Sequence, residues 1–460
     1  MRRFDLPFWW PRFARLLAGA AGTLVTALTG VIRNKWLAHH LDTTGIGVLS
    51  QIVSGQNWLG FAAGLGLSLP VARSVSVASG SEADLEAGRR AAWSAAVLVS
   101  IASAIAVLIG LVAAPVVSRA LLGTEEYTAM VRLSMIGVLG VAFWAPASGF
   151  FAGRSDLRAP LTFAIVGGGG ATALAFVLVP RFGLFGGVLA VTLLYPLGVL
   201  GMLVAHAPAH AAALWPRPRP LLATAFREAR PLLTVAGAAL ALSLIDLGTM
   251  VTLRSHYLRA NGVEANGLLQ AALALSQQVG AIFYAYLGGY AFGKINAIAS
   301  AEGTAGVTAY TRRQWTPLLL LAFAAISISV VAASPLLRLL YSDRFDAARP
   351  LMALTLGGEL GRVVVQAVAL GALAAGGTRL WFSIGVTQAV ALAAAYAWFS
   401  RAGAGVESLP LAYAVASWIN ATVAIVLMAR SGVTLHARGF VLLLLAFAAL
   451  ALVVRGVVLG

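Results

Sequence analysis

The stretch Leu121-Leu122-Gly123-Thr124-Glu125-Glu126-Tyr127 separates two apolar runs. About 220 residues later the chain repeats this arrangement at Leu339-Leu340-Tyr341-Ser342-Asp343-Arg344-Phe345. In both copies a proline closes the preceding apolar run, Pro115 in the first and Pro335 in the second. Two further pairs of segments recur at nearly the same offset: 47–50 with 267–270, and 149–158 with 371–379. The chain therefore contains a direct repeat that covers most of its length.

The composition places both copies in a membrane. Of the 460 residues, 60% are hydrophobic and 10% are charged, whereas soluble domains are about a quarter charged. Apolar stretches recur that are long enough to cross a bilayer core of about 30 Å as helices. Strand-like alternation is absent, which excludes a barrel. We therefore predict an all-α polytopic membrane protein.

The apolar runs predict twelve spans in two lobes of six, followed by one extra segment. Lobe boundaries are predicted at 1–206 and 231–429, with a cytoplasmic linker at 207–230 and a C-terminal region at 430–460. The predicted spans are 16–32, 46–69, 91–116, 130–151, 160–179, 184–206, 231–253, 266–290, 315–340, 350–373, 379–400 and 409–429, numbered 1 to 12, with an extra span at 439–458.

The duplication itself favours a transporter. An even number of spans in each copy keeps both copies the same way up, so that an axis along the membrane normal relates them. Lobes of this kind can rock around a central site, which is a common design for transporters. No connection exceeds 24 residues, so there is no room for a soluble catalytic domain and an enzyme is not expected.

Charge sets the orientation of the spans. The formal net charge is +16, but most Lys and Arg lie in short loops, where they orient the spans and contact anionic lipid instead of nucleic acid. The N-terminus and the loops after the even-numbered spans hold 19 of the 32 Lys and Arg residues, which predicts a cytoplasmic N-terminus. The chain has no cysteine, so thiolate chemistry is excluded, and we expect neither a metal nor a cofactor.

Three local patterns carry a resemblance to a known family. They are the hairpin from Arg33 through Gly47, the segment Gly64–Arg73 that closes span 2, and the Leu121–Tyr127 pattern with its echo. Together with the order of the spans, they resemble the polysaccharide flippase branch of the multidrug/oligosaccharidyl-lipid/polysaccharide (MOP) exporter superfamily. Members commonly have 12 or 14 spans, so the thirteen counted here depart from the pattern.

This resemblance implies a fold, a substrate and a location. The fold would be two six-helix bundles, and the substrate a polyprenyl-pyrophosphate-linked oligosaccharide, such as an O-antigen or related cell-envelope precursor. The chain would move it from the inner to the outer leaflet of the bacterial cytoplasmic membrane. A polysaccharide polymerase and chain-length proteins would be partners.

Charged residues inside the predicted spans are candidate functional groups, because a charge at helix centre costs about 2.5–3.5 kcal/mol on insertion scales. Asp246 in span 7 is either a proton or cation site or a carboxyl hydrogen-bonded to a neighbouring helix. In span 10, Glu359 and Arg362 are three residues apart and share a helical face. They form either a structural ion pair or a site where Arg362 holds the pyrophosphate and Glu359 orients it.

Amides and cations complete the predicted substrate site. Amides occupy corresponding places in the two copies, namely Gln51, Gln56 and Asn57 in span 2, and Gln270, Gln277 and Gln278 in span 8. They either line a cavity and bind sugar hydroxyls or form interhelical hydrogen bonds. Four cations at helix ends either contact lipid headgroups or form a ring for the diphosphate: Arg33, Arg73, Arg254 and Lys294.

Two other functions stay open from the sequence. One is a multidrug or cation antiporter of the same superfamily, with Asp246 as the coupling acid; the many cations near the predicted site argue against cationic drugs. The other is a membrane-embedded polysaccharide polymerase, which the short loops disfavour. The run Gly167–Gly170 in span 5 predicts a bend or a close helix contact, since no Gly-Lys-Ser/Thr follows it.

Overall fold

The computed structural model describes residues 6–77, 82–154, 156, 158–214, 222–287, 291–374 and 378–430. Over these residues the chain is helical and contains no strand, which confirms the all-α prediction. The predicted extra span at 439–458 and the proline-rich part of the predicted linker, residues 215–220, lie outside the described residues.

The described helices account for all twelve predicted spans. Eight helices are long and apolar enough to cross a membrane, or nine if one bent pair counts as a single span. Some are too long for one crossing: the 51 residues of Ala236–Tyr286 would extend about 75 Å at 1.5 Å per residue. Three long helices each contain one break in the helical backbone. It lies at Gly262 in the 51-residue helix, at Gly183 in the 49-residue Arg158–His206, and at Asp42 in the long helix of the bent pair. Dividing them there gives twelve spans.

The backbone breaks repeat along with the sequence. Asp42 has φ 56° and Gly262 has φ 90°, and these residues lie 220 positions apart. Gly183 with φ 53° and Gly403 with φ 78° are also 220 positions apart. A positive φ is sterically costly for residues with a Cβ, which explains three glycines in these four places. Asp42 is stabilised by its own carboxylate, whose Oδ1 accepts the backbone N–H of Gly45 at 3.0 Å.

The described residues group into two compact units. Unit 1 comprises those of Met1–Leu41 and Gln51–Leu244, and unit 2 those of Asp42–Ser50 and Ile245–Gly460. The helices that begin in the first copy are α1 (Leu6–Ala63), α2 (Ser68–Val77), α3 (Glu82–Val112), α4 (Ala114–Leu122), α5 (Thr128–Gly153), α6 (Arg158–Phe163), a π-helix (Ala164–Gly169), α7 (Gly170–Thr192) and α8 (Leu194–Leu214).

The second copy has the same order of long helices. It comprises α9 (Leu222–Tyr286), α10 (Phe292–Val331), α11 (Ala333–Leu340), a 3₁₀ helix (Asp343–Ala348), α12 (Arg349–Ala374), α13 (Thr378–Arg401), a second 3₁₀ helix (Gly405–Glu407) and α14 (Ser408–Arg430). In unit 2, α12 lies at the centre: it packs against α10, α13 and α14, and residues 351–361 are buried without interruption. This central helix carries Glu359 and Arg362.

The glycine run in span 5 forms the π-helix Ala164–Gly169. A Cβ on Gly167 would lie 2.6 Å from the carbonyl oxygen of Leu194, and a Cβ on Gly168 would lie 2.6 Å from Thr29 Oγ1. The missing side chains therefore let α1 and α8 approach this helix closely, as the sequence predicted.

The two stretches that reveal the repeat also form equivalent turns. In the first, Arg119 at the end of α4 pairs with Glu125 at 2.5 Å. In the second, Arg338 at the end of α11 pairs with Asp346 at 2.5 Å, and Ser334 donates a hydrogen bond to the same carboxylate. Each pair closes the turn between two spans, so Glu125 and Asp346 have a structural role in these connections.

Candidate functional site

Glu359 lies at the centre of a hydrogen-bonded cluster inside unit 2. Its side chain is fully buried. The Tyr284 hydroxyl donates to Oε2 at 2.6 Å, and the Tyr413 hydroxyl donates to Oε1. Two hydroxyl donors and a nearby cation satisfy an ionised carboxylate, which would otherwise be very costly to bury.

Arg362 supplies that cation from the next turn of α12. Its Nη1 lies 3.8 Å from Glu359 Oε1 and donates a hydrogen bond to the Tyr413 hydroxyl at 2.9 Å. The guanidinium carbon also lies 5.7 Å from the centre of the Tyr413 ring. Unlike its carboxylate partner, the Arg362 side chain is 33% exposed. A cation in the middle of a span would be very costly if it faced lipid, so we expect this exposed part to face water.

Small residues on neighbouring helices make room for the cluster. A Cβ on Gly280, in the part of α9 that forms span 8, would collide with Glu359 Oε2. A Cβ on Gly358 would lie 2.6 Å from the Tyr413 ring. One turn away, the hydroxyls of Ser276 and Thr355 are 2.6 Å apart. Span 8 therefore meets α12 along a polar seam with helical spacing, at 276 and 280 on one helix and at 355 and 359 on the other.

Two further predicted residues lie near this cluster. The exposed carboxylate of Asp246 acts electrostatically on Arg362. Gln277 is exposed and lies seven residues before Tyr284, so both occupy one face of the same helix. Its neighbour Gln278 is half-buried, as is Gln270 two turns earlier. The cluster thus brings together Asp246, Glu359 and Arg362, with Gln277 on the adjoining helical face.

Arg254, by contrast, lies in a separate network. It is only 3% exposed. Its Nε and Nη2 donate to Asn266 Oδ1 at 3.3 and 3.1 Å, and Nη2 also donates to Ser50 Oγ at 2.8 Å. Asn266 in turn donates to the Gly47 carbonyl at 2.8 Å. These bonds fasten the segment 42–50 to spans 7 and 8 within unit 2, which favours a structural role for Arg254 over the predicted substrate contact.

The predicted amides of span 2 are not equivalent to those of span 8. Gln56 is buried, and its Oε1 accepts a hydrogen bond from Thr192 at 3.1 Å within unit 1. Asn57 is half-buried. Gln51 is fully buried. The first copy therefore uses Gln56 for packing between helices, which was one of the two readings of the sequence.

The remaining predicted cations lie on three different helices. Arg33 is half-buried on α1, and Arg73 is exposed on α2. Lys294 is exposed near the start of α10, with Nζ 5.4 Å from the centre of the Tyr310 ring. Substrate contacts by these three residues stay a prediction.

Solved structures show what this architecture is similar to. A multidrug-resistance MATE family transporter of the MOP superfamily, in an inward-facing conformation, superposes with a TM-score of 0.74 over 88% of this chain and 94% of that chain. The chain has the MOP transporter fold. Sequence identity in this comparison is 13%.

Two other structures with this fold are not described as drug exporters. The lipid II flippase MurJ, in an inward closed conformation, matches with a TM-score of 0.67 and 11% identity over 96% of this chain and 97% of that chain. A MOP superfamily transporter from Pyrococcus furiosus, described by the reverse polarity of its binding pocket, matches with a TM-score of 0.65 and 14% identity over 91% and 95% of the two chains. No protein-family model and no curated protein sequence matches the chain.

Sequence reasoning missed Tyr284 and Tyr413. They lie 75 and 54 residues from Glu359 along the chain, so no local spacing connects them to it. Each is, however, a tyrosine inside an apolar span, and a buried tyrosine hydroxyl needs a partner. The need for a partner could therefore have predicted a polar contact for each tyrosine, and the buried carboxylate of Glu359 was an available acceptor.

Proposed function

We propose that this protein is a transporter that moves a polyprenyl-pyrophosphate-linked oligosaccharide from the inner to the outer leaflet by alternating access. The fold is that of MOP transporters, one of which is a lipid II flippase. The observation that carries the proposal is the position of Arg362, a cation held rigidly on one side and exposed on the other.

The geometry of Arg362 suits a phosphate ligand. Among the described residues its hydrogen bonds are made through Nη1, which leaves Nη2 and Nε for a ligand. A guanidinium binds two oxygens of a phosphate through such an edge, and its planar fork is already oriented. The Tyr413 and Glu359 contacts fix the other edge, so little side-chain entropy is lost when the ligand binds.

Glu359 acts in this proposal as a positioning residue. Its carboxylate is enclosed by Tyr284 and Tyr413, so it does not touch the ligand but holds Arg362 and its tyrosine partner in place. The exposed amide of Gln277, on the Tyr284 face of span 8, is placed to exchange hydrogen bonds with sugar hydroxyls. Weak, exchangeable bonds of this type let a transporter release its substrate.

A test in cells separates this substrate class from others. Depletion of the protein should strand lipid-linked oligosaccharide in the inner leaflet, where an added glycosidase or lectin cannot reach it from outside. The accumulated precursor should disappear when the wild-type protein is expressed again, and it should persist when the Arg362→Ala variant is expressed instead. Normal surface polysaccharide after depletion, with no stranded precursor, would contradict the proposal.

A multidrug or cation antiporter is the second candidate, and Asp246 is the observation that favours it. Its exposed carboxylate, near a cation, could accept a proton or a cationic substrate. In that case depletion should raise sensitivity to cationic drugs without stranding a lipid-linked sugar, and Asp246→Asn should reproduce the drug sensitivity.

A further inference from the structure

A second titratable cluster lies in unit 1, on the side predicted to be cytoplasmic. His206, near the C-terminal end of α8, has Nδ1 3.0 Å from Asp156 Oδ2. Its other ring nitrogen, Nε2, lies 2.9 Å from Thr162 Oγ1 on α6. The side chains of His206 and Asp156 are only 12% and 15% exposed. The proposed transport site does not use this cluster.

Each polar group of the cluster has a second partner. The backbone N–H of Arg158 donates to Asp156 Oδ1 at 3.0 Å. The Thr162 hydroxyl donates to the Arg158 carbonyl at 3.1 Å. The Phe151 ring packs edge-on against the imidazole with centroids 5.7 Å apart. The imidazole is therefore clamped among the end of α5, the turn that contains Asp156, and the start of α6.

This pattern of donors and acceptors matches a doubly protonated imidazole. In that form Nδ1–H donates to the Asp156 carboxylate and Nε2–H donates to Thr162 Oγ1, while the Thr162 hydrogen stays on the Arg158 carbonyl. In the neutral form with the proton on Nδ1, Nε2 becomes an acceptor. The single Thr162 hydrogen then cannot serve both Nε2 and the carbonyl, and the bond from Nδ1–H to the Asp156 carboxylate is weakened because its donor is no longer charged.

Other charged side chains on the described helices around this cluster are exposed or pair elsewhere. Arg154 just after α5, Arg158 on α6 and Arg73 on α2 are exposed. On α3, Arg89 pairs with Glu86 at 3.3 Å and Arg90 pairs with Glu228 at 3.8 Å. Arg181 on α7 lies at the other end of the span. In the described part of unit 1, Asp156 is the carboxylate that hydrogen-bonds His206.

We propose that His206, Asp156 and Thr162 form a proton-binding site that clamps the turn after α5 to the end of α8 when His206 is protonated. Loss of the proton removes one hydrogen bond and weakens another, so the clamp loosens. The site thus makes the packing of spans 4, 5 and 6 at this membrane face depend on pH. This inference does not rest on the identity of the transported substrate.

Hydrogen exchange of the purified, full-length wild-type protein tests the clamp directly. After correction for intrinsic exchange rates, the amides of residues 158, 159, 161 and 162 should be about tenfold more protected at pH 6 than at pH 8, equivalent to ~1.4 kcal/mol. These two pH values lie on either side of the pKa of an ordinary histidine. Equal protection at the two pH values would overturn the proposal, and this comparison needs no variant to fold.

Matched variants assign the effect to these residues. His206→Gln and Asp156→Asn should abolish the pH dependence, and Thr162→Val should reduce it while Thr162→Ser retains it. The control is His40→Gln: His40 is exposed, and its Nδ1 meets only the Trp36 carbonyl of its own helix, at 3.0 Å, so the pH dependence should be unchanged. A pH dependence that persists in folded His206→Gln protein would also overturn the proposal.

Discussion

Glu359 and Arg362 show what the spacing of residues along one helix can predict and what it cannot. Three residues apart on one helix, they were predicted to share a face, and they lie 3.8 Å apart. The sequence left an ion pair and a phosphate site as alternatives. In the structure Arg362 pairs with Glu359, yet one-third of its side chain is exposed. The pairing therefore leaves part of the guanidinium accessible to a ligand. Tyr284 and Tyr413 could not be assigned, because contacts between distant spans depend on packing that local patterns do not encode.

Replacement of Arg362 separates charge from geometry. Arg362→Ala should lower the transport rate about tenfold or more (~1.4 kcal/mol or more) because the phosphate loses its ligand. Arg362→Lys should recover part of the rate, since it keeps the charge but lacks the fork. Transport is measured relative to the amount of protein in the membrane. Arg349→Ala, an exposed arginine at the start of the same helix, is the control and should transport normally.

Removal of the Tyr413 hydroxyl tests the support of the buried carboxylate. Tyr413→Phe leaves Glu359 Oε1 without its hydroxyl donor and should destabilise the protein by about 1–3 kcal/mol, visible as a lower Tm in detergent. Tyr127→Phe, in the turn before α5, should leave the Tm unchanged. If Tyr413→Phe is as stable as the wild type, the cluster does not hold Glu359 as described.

The helices show where prediction of elements succeeded and failed. Twelve apolar runs predicted twelve spans, but the connections at 33–45 and 254–265 were expected to be loops. In the structure each is helical up to a single break, at Asp42 and Gly262. The expectation of loops at these two connections is therefore wrong. Gly47 instead allows close approach to Val263 and Gly267 within unit 2, a contact between distant residues that hydrophobicity does not encode.

Gly280 offers a test of the seam between span 8 and α12. Gly280→Ala should place a methyl group against the Glu359 carboxylate and destabilise the protein by about 1–3 kcal/mol. Gly237→Ala is a matched control in the same long helix, where a Cβ meets nothing within 4 Å; it should be neutral or stabilising by up to about 1 kcal/mol. Thermal unfolding of both variants is the measurement. Equal Tm values for the two would show that span 8 does not pack against Glu359 at Gly280.

The whole molecule is the level at which the sequence was most informative. A direct repeat, twelve apolar runs and short loops predicted a duplicated helical membrane protein, and the solved MOP structures share its fold. The asymmetry of charge within the spans was also visible in the sequence, since Asp246, Glu359 and Arg362 all lie in the second copy. The substrate is not encoded in the fold, because drug exporters and a lipid flippase share it.

Flipping in proteoliposomes addresses the substrate directly. Purified protein is reconstituted with a polyprenyl-diphosphate oligosaccharide that carries a fluorophore on its sugar, and a membrane-impermeant quencher is added outside. With wild-type protein, quenching should proceed beyond the outer-leaflet share as inner-leaflet label becomes exposed. With Arg362→Ala it should stop near that share, while Arg349→Ala should match the wild type. Quenching by wild-type vesicles equal to that of protein-free vesicles, or equal flipping by Arg362→Ala, would contradict the proposed function.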